Sequence, residues 1–347
     1  MKVLVTGGAG YIGSTVCSAL EEHGHTPVIL DSLVTGRREF TRGRAFYRGD
    51  IADRPLLERL LEEHPEIGCT IHCAALIVVP ESVAEPYRYY RENVAKSLEL
   101  FQNLVELGQT RVVFSSSASI YDASPDFRVT EDSPLRPGSP YARTKYMMEM
   151  VLEDLCHATE LRGIALRYFN PIGADPGLRS GSHVEAPSHV LGRIVEAARG
   201  RLPVFEITGT DWPTRDGSGL RDYIHVWDLA LAHVRAVEDF DAVLERARLR
   251  HLNDRYLAVN LGTGQGVTVK ELVAAFERVA RQPLPLRAAP PRPGDVGGAY
   301  AGIERAWELL GWRPQSSVDE GIRTALAWDE RKQALISSED RAFPGSE

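Results

Sequence analysis

The chain has 347 residues, 43% of them hydrophobic and 25% charged, and a formal net charge of −8. That length buries a sizeable core in one large or two moderate domains. No lysine or arginine block suits a nucleic acid, and no apolar run of about 18 residues suits a bilayer, so neither partner is expected. The apolar start MKVLVTGGAGYIG leads into glycines instead of a cleavage-like site, which predicts a cytoplasmic protein. Cys17, Cys69, Cys73 and Cys156 lie in apolar contexts without metal-ligand spacing, so reduced core thiols and no metal site are expected.

In chain order, the short apolar runs KVLVTG, TPVILD, CTIHCAA, TRVVFSSS and GIALRYFN read as buried strands. Amphipathic stretches at 13–24, 53–63, 85–107 and 140–160 read as helices. Strands apolar on both faces and joined by helices imply an α/β fold, a doubly wound parallel sheet of the Rossmann type. Residues 174–219 are rich in Gly, Pro, Ser and Asp around one helix, which suits a smaller domain or lid, and 221–262 return to the sheet. A helix at 268–281 opens with the capping box Thr268-Val-Lys-Glu271, PRPGD opens the last loop region, and the tail SSEDRAFPGSE (337–347) is expected to be disordered.

The strongest local signal is VLVTGGAGYIGS, where Gly7, Gly10 and Gly13 follow an apolar strand and open a helix. Without β-carbons the backbone can approach a pyrophosphate, whose charge meets free N–H groups and the helix dipole. VILD ends the second strand in Asp31, where a carboxylate binds both ribose hydroxyls and repels a 2′-phosphate, so NAD is favoured over NADP. Asp50 and Ile51, after a third strand, are either adenine contacts or a simple strand-ending turn.

In SPYARTKYMMEM, Ser139 is a good N-cap and Pro140 suits the first helical position, so Tyr141 and Lys145 share one helix face. A phenol with a pKa of about 10 needs about 4 kcal/mol of phenolate stabilisation to act as a base near pH 7. One cation at about 4 Å supplies roughly that at an effective dielectric of 20, and a positive nicotinamide ring would add to it. RVVFSSSASIY ends a strand in Ser115, Ser116 and Ser117 at the carboxyl edge of the sheet, where a serine can bond a reacting hydroxyl. Taken alone, a serine cluster is also ordinary turn chemistry.

TGGAGYIGS, SSSASIY, YARTK, RYFNPIGADP and RDYIHVWDLA together resemble the extended short-chain dehydrogenase/reductase family, and within it the UDP-glucose 4-epimerases, over residues 1 to about 330. The resemblance implies bound NAD, with Tyr141 as base, Lys145 as its partner and Ser117 bonding the sugar 4-hydroxyl. It implies cofactor contacts from Tyr11, Ile12, Asn93 and Tyr168 beside those already named. It implies UDP-sugar contacts from Asn170, Arg221, Arg292 and Asp295, with Ala299 against the hexose. An NAD-binding domain of 1–173 with 221–265, a UDP-sugar-binding domain of 174–220 with 266–336, and a homodimer through the helices near 85–107 and 140–160 complete the expectation.

Departures from that family are equally specific. Ile77 stands where a lysine is frequent, Ser188 and His189 replace paired asparagines, LPVFEITG lacks an evident uracil-side aromatic, and Asp122 replaces a glycine. A 4,6-dehydratase would carry an acidic pair after the active-site serine, where this chain has Ala118 and Ser119. A 4-epimerase of another UDP-sugar, carrying an N-acetylhexosamine or a uronic acid, shares every motif. An NAD-sensing regulator would not need Ser117, Tyr141 and Lys145 together.

Overall fold

The computed structural model describes residues 1–291 and 296–337. Its first half repeats a strand–helix unit: β1 (Lys2–Thr6), α1 (Tyr11–Glu22), β2 (Thr26–Asp31), β3 (Ala45–Arg48), α2 (Arg54–Glu63) and β4 (Ile67–His72). There follow α3 (Val79–Ala84), α4 (Pro86–Tyr90), a π-helical turn (Arg91–Ala95), α5 (Lys96–Glu106), β5 (Arg111–Ser117), β6 (Arg128–Val129), α6 (Pro140–Ala158) and β7 (Arg162–Tyr168). The second half comprises β8 (Asn170–Ile172), α7 (Val190–Ala198), β9 (Phe205–Thr208), β10 (Leu220–Arg221), β11 (Tyr223–His225), α8 (Val226–Glu238) and α9 (Phe240–Leu249). It closes with β12 (Tyr256–Leu261), β13 (Val267–Thr268), α10 (Val269–Ala280), β14 (Leu286–Ala289), β15 (Gly298–Ala301) and α11 (Val318–Ser337).

Seven parallel strands form the main sheet in the order β12-β7-β5-β4-β1-β2-β3, so the strand order reverses about β1 as in a doubly wound fold. Both faces are covered, which is why its strands read as near-continuous apolar runs. One face packs Val5, Ile29 and Leu166 against α1, α8 and α9 through Val16, Leu20, Leu229 and Phe240. The other packs Leu4, Val28 and Phe114 against α2, α5 and α6 through Leu57, Leu60, Phe101 and Leu152. A third apolar cluster gathers Ile172, Ile194, Phe205, Leu272, Phe276 and Ile322 from β8, α7, β9, α10 and α11. Small sheets flank it: β13-β10-β15-β6, β11-β8 and β14-β9.

The predicted helix at 85–107 is interrupted. Glu85 sits at φ −125°, ψ 57°, because the ring of Pro86 excludes the residue before it from the α region. The π turn then breaks the ladder again before α5. Helix α1 starts two residues earlier than the pattern suggests, at Tyr11, directly on the last turn glycines. Helix α11 runs to Ser337, and the tail from 338 lies outside the described residues. No helix among the described residues is long and apolar enough to cross a membrane.

Candidate active site

The glycine turn is built as the sequence demands. Gly7 has φ +73°, and a β-carbon there would lie 2.6 Å from the Ala74 nitrogen; one on Gly13 would lie 2.2 Å from the Gly7 carbonyl oxygen. These two glycines let α1 and the β4 loop close on the turn. Gly10 differs: a β-carbon there would meet only the Gly7 oxygen, at 3.3 Å, and would otherwise project into open space. Gly10 is also the N-cap of α1, with no side-chain cap and no acidic residue in the first turn. The helix therefore presents unscreened N–H groups and its positive dipole end above an open cradle, which fits a pyrophosphate.

At the tip of β2, Asp31 accepts from the Ala9 amide at 2.9 Å and the Leu33 amide at 2.8 Å. Burial raises its pKa, and those two bonds oppose the rise. Asp50 accepts from the Ala52 amide and pairs with Lys96, which outweighs burial and holds its pKa below the usual value. Ile51 is buried in the core and Ile12 is partly buried beneath the turn. The Tyr11 hydroxyl donates to the Gly173 carbonyl at 2.7 Å, joining α1 to the segment after β8. Asn93, on the π turn, is buried, and its amide brackets Leu76: Oδ1 accepts from the Leu76 N–H at 2.8 Å and Nδ2 donates to the Leu76 carbonyl at 2.9 Å. Ile77 is exposed beside this clamp.

Helix α6 is capped as expected, with the Ser139 hydroxyl accepting from the Ala142 amide at 3.2 Å and Pro140 in the first turn. That fixes Tyr141, Lys145 and Glu149 on one face against the end of β5. Ser117 adjoins the Tyr141 phenol, and its Oγ lies 2.9 Å from Ser119 Oγ. Lys145 Nζ donates to the Ser115 carbonyl at 2.7 Å and lies 5.1 Å from the centroid of the Phe114 ring. Burial lowers the Lys145 pKa to about 8. The expected lowering of the Tyr141 pKa by Lys145 is not met by the protein alone: burial raises it, and the opposing influence is the Ser117 hydroxyl.

Ser116 points to a partner the sequence did not single out. Its hydroxyl donates to Glu149, which also receives the Arg167 guanidinium through Nε at 3.0 Å and Nη2 at 2.7 Å, and the Tyr256 hydroxyl at 3.1 Å. This buried ion pair ties β5, β7, β12 and α6 together directly behind the serines. Tyr168 is the β7 residue in register with Ser117, and its hydroxyl bonds His233 on α8.

On the far side of the cleft, Asn170 of β8 is exposed and is paired in register with Tyr223 of β11. The Tyr223 hydroxyl is buried without a hydrogen-bond partner. The half-buried Arg221 guanidinium meets only carbonyls, those of Leu220, Gly297 and Val296, and no carboxylate among the described residues. An uncompensated cation and an orphaned phenol one residue apart suit an anionic, hydroxyl-bearing ligand. Asp222 between them accepts four bonds, from Thr263 N and Oγ1 and from the amides of Gly264 and Ala301, and so clamps β10 to β15. Ala299 is in register with Arg221 and packs in the cluster with Ala118 and Tyr121, beside the serine strand end. Arg292 and Asp295 lie outside the described residues. His189 is the N-cap of α7, its Nδ1 accepting from the Gly192 amide. Asp122 accepts from the Ala123 amide and lies 4.0 Å from Arg136; nothing in these contacts explains its presence in place of glycine.

A family model described as the NAD dependent epimerase/dehydratase family matches residues 3–250. A UDP-glucose 4-epimerase of Azospirillum brasilense is 42% identical over 339 residues, covering 96% of this chain and 94% of the relative. The solved UDP-glucose-4-epimerase of Stenotrophomonas maltophila, with bound NAD and formylated UDP-arabinopyranose, superposes with a TM-score of 0.88 at 38% identity, covering 96% of this chain and 99% of that one. That of Bifidobacterium longum, in complex with NAD+ and UDP, superposes with a TM-score of 0.87 at 32% identity, with 96% and 99% covered.

Proposed function

The chain belongs to the NAD dependent epimerase/dehydratase family, and on that premise we propose that it interconverts UDP-glucose and UDP-galactose with NAD as its cofactor. The observation that carries this reading is the placement of Tyr141 and Lys145 one helical turn apart on α6, with Ser117 beside the Tyr141 phenol, at the carboxyl edge of a sheet whose glycine turn fits a pyrophosphate.

Bound NAD supplies a hydride acceptor that returns the hydride later in the cycle, and its ring charge favours a phenolate nearby. Tyr141 takes the proton of the sugar 4-hydroxyl while Ser117, beside the phenol, donates its Oγ–H to the same oxygen and orients it. The 4-keto hexose then turns over while UDP stays held, so that the hydride returns to its other face, and Tyr141 returns the proton to the 4-oxygen. This cycle needs a firm nucleotide site and a permissive hexose site. Arg221 suits the first, since its fork meets no carboxylate among the described residues, with Tyr223 and Asn170 beside it. Ala299 suits the second. On the cofactor side, Gly7, Gly10, Tyr11, Ile12 and Gly13 would receive the pyrophosphate, Asp31 the adenine ribose, Asp50 and Ile51 the adenine, and Lys145 with Tyr168 the nicotinamide half. The bonds of Asn93 support a positioning role for the Leu76 loop at that half.

The division into NAD-binding segments 1–173 with 221–265 and UDP-sugar-binding segments 174–220 with 266–336 belongs to the same reading. Homodimerisation is supported by the exposed apolar residues Tyr87, Leu98, Met147 and Met150 on α4, α5 and α6. Free thiols at all four cysteines support a cytoplasmic setting. Proton NMR of UDP-glucose incubated with the protein tests the function: a galactose anomeric signal upholds it, whereas a 4-keto-6-deoxy product or unchanged substrate defeats it.

A further inference from the structure

A cavity of about 260 Å³ opens on the flank of α1, between the turn at Arg38–Thr41, the segment after β8 and the latter half of α11. None of its lining residues belongs to the cofactor or substrate set assigned above. In a chain of net charge −8, among the described residues lining it the cationic side chains outnumber carboxylates six to two. Part of that charge is committed: Arg44 to Glu21, Arg179 to Asp175 and Glu22, and Lys332 to Asp329. Two guanidiniums from different elements are not. Arg331 has no ion pair among the described residues, and Arg37 reaches only the exposed Glu185, at 4.0 Å.

The floor is aromatic. Phe40 lies 5.4 Å from the His183 ring and 5.8 Å from the Trp328 ring, centroid to centroid. His183 Nε2 donates to the Thr35 carbonyl at 2.7 Å, which leaves Nδ1 buried without a partner. Uncommitted guanidiniums over an apolar floor match a ligand with a multiply charged oxyanion and a small organic body. A free carboxylate offers only one charge, whereas a phosphate monoester offers close to two and three acceptor oxygens, enough for both forks.

We propose that this cavity binds phosphate, either free or as the monoester of a small sugar, at a site separate from the catalytic cleft. Isothermal titration tests it on the holoprotein saturated with NAD and UDP, in low-chloride buffer, using ribose 5-phosphate, inorganic phosphate and unphosphorylated ribose as probes. The expected result is one saturable site for the phosphorylated probes and none for ribose. Arg37→Ala and Arg331→Ala each weaken it at least tenfold, while Arg313→Ala, an arginine stacked on Trp307 and absent from the cavity lining, leaves it unchanged. Equal affinity for both phosphorylated probes means that the anion alone is read; tighter ribose 5-phosphate means that the aromatic floor takes the sugar. Absence of saturable binding by either, or binding that survives the Arg37→Ala/Arg331→Ala double variant, overturns the proposal.

Discussion

Replacing Lys145 by methionine separates what the site needs from what the fold prefers. A fall in the lysine pKa from 10.5 to about 8 corresponds to roughly 3 kcal/mol spent keeping the ammonium buried at pH 7. The sign follows from proton binding. Below about pH 8 both states carry the proton and the native state bears the full cost. Between about 8 and 10.5 the native state sheds its proton first, so stability rises with pH; above 10.5 both states are neutral and the cost is gone. Methionine removes the charge at similar volume, at the expense of the bond to the Ser115 carbonyl, worth about 1 kcal/mol. The net gain is about 2 kcal/mol at pH 7. At roughly 2 cal/mol/K per residue, a chain of 347 residues gives about 0.7 kcal/mol per degree, so Tm rises by about 3 °C. Calorimetry of both proteins, freed of nucleotide to remove ligand linkage, should find that rise at pH 7 and its loss toward pH 10.5. Turnover should meanwhile collapse. A lower Tm at pH 7, or a difference independent of pH, refutes the reasoning.

Other substitutions probe the remaining roles. Tyr141→Phe should lower turnover by roughly 100-fold or more while leaving UDP affinity near normal, and near-normal activity removes the phenol from proton transfer. Asp31→Ala should weaken NAD binding and relax discrimination against NADP; an unchanged preference after reconstitution excludes Asp31 from the ribose. Ala299 leaves several heavy atoms of room relative to tyrosine, so the wild type should also epimerise UDP-N-acetylglucosamine and Ala299→Tyr should lose mainly that activity. Initial rates on both sugars decide it, and refusal of the acetamido sugar by the wild type defeats the pocket argument.

What was legible in the chain was local. The Ser139 cap, the Thr268–Glu271 capping box and the strand–glycine–helix start each rest on neighbours within a few residues; the two caps form where the pattern placed them, and α1 starts two residues earlier. The broken helix at 85–107 had a local signal too, in Pro86, but the long amphipathic period outweighed it. Residues that meet only across the fold left no such trace. Neither Glu149 nor Arg167 stands out in the sequence, and their buried pairing exists because α6 packs over β7. Tyr223 read as part of a motif, whereas its orphaned hydroxyl is visible only once β8 lies beside β11.

The strand around Ala299 shows most clearly why sequence stops short. Gly297 and Gly298 make the backbone before Ala299 permissive, and a slip of one residue in a strand exchanges its two faces, which would bring Tyr300 to the place of Ala299. No local rule chooses between them. The choice is made by three distant contacts: Ala299 in register with Arg221, the Tyr300 amide donating to the Phe127 carbonyl at 2.8 Å, and the Ala301 amide donating to Asp222 at 3.1 Å. With β10 on one side of β15 and β6 on the other, the register is pinned from both edges. Ala299 and Ala301 then share the face toward Tyr121 and Phe169, and strand alternation sends Tyr300 to the opposite one. The face that Ala299 presents is thus held by an aspartate seventy-odd residues upstream in the chain, Asp222, whose carboxylate fixes the strand at that register.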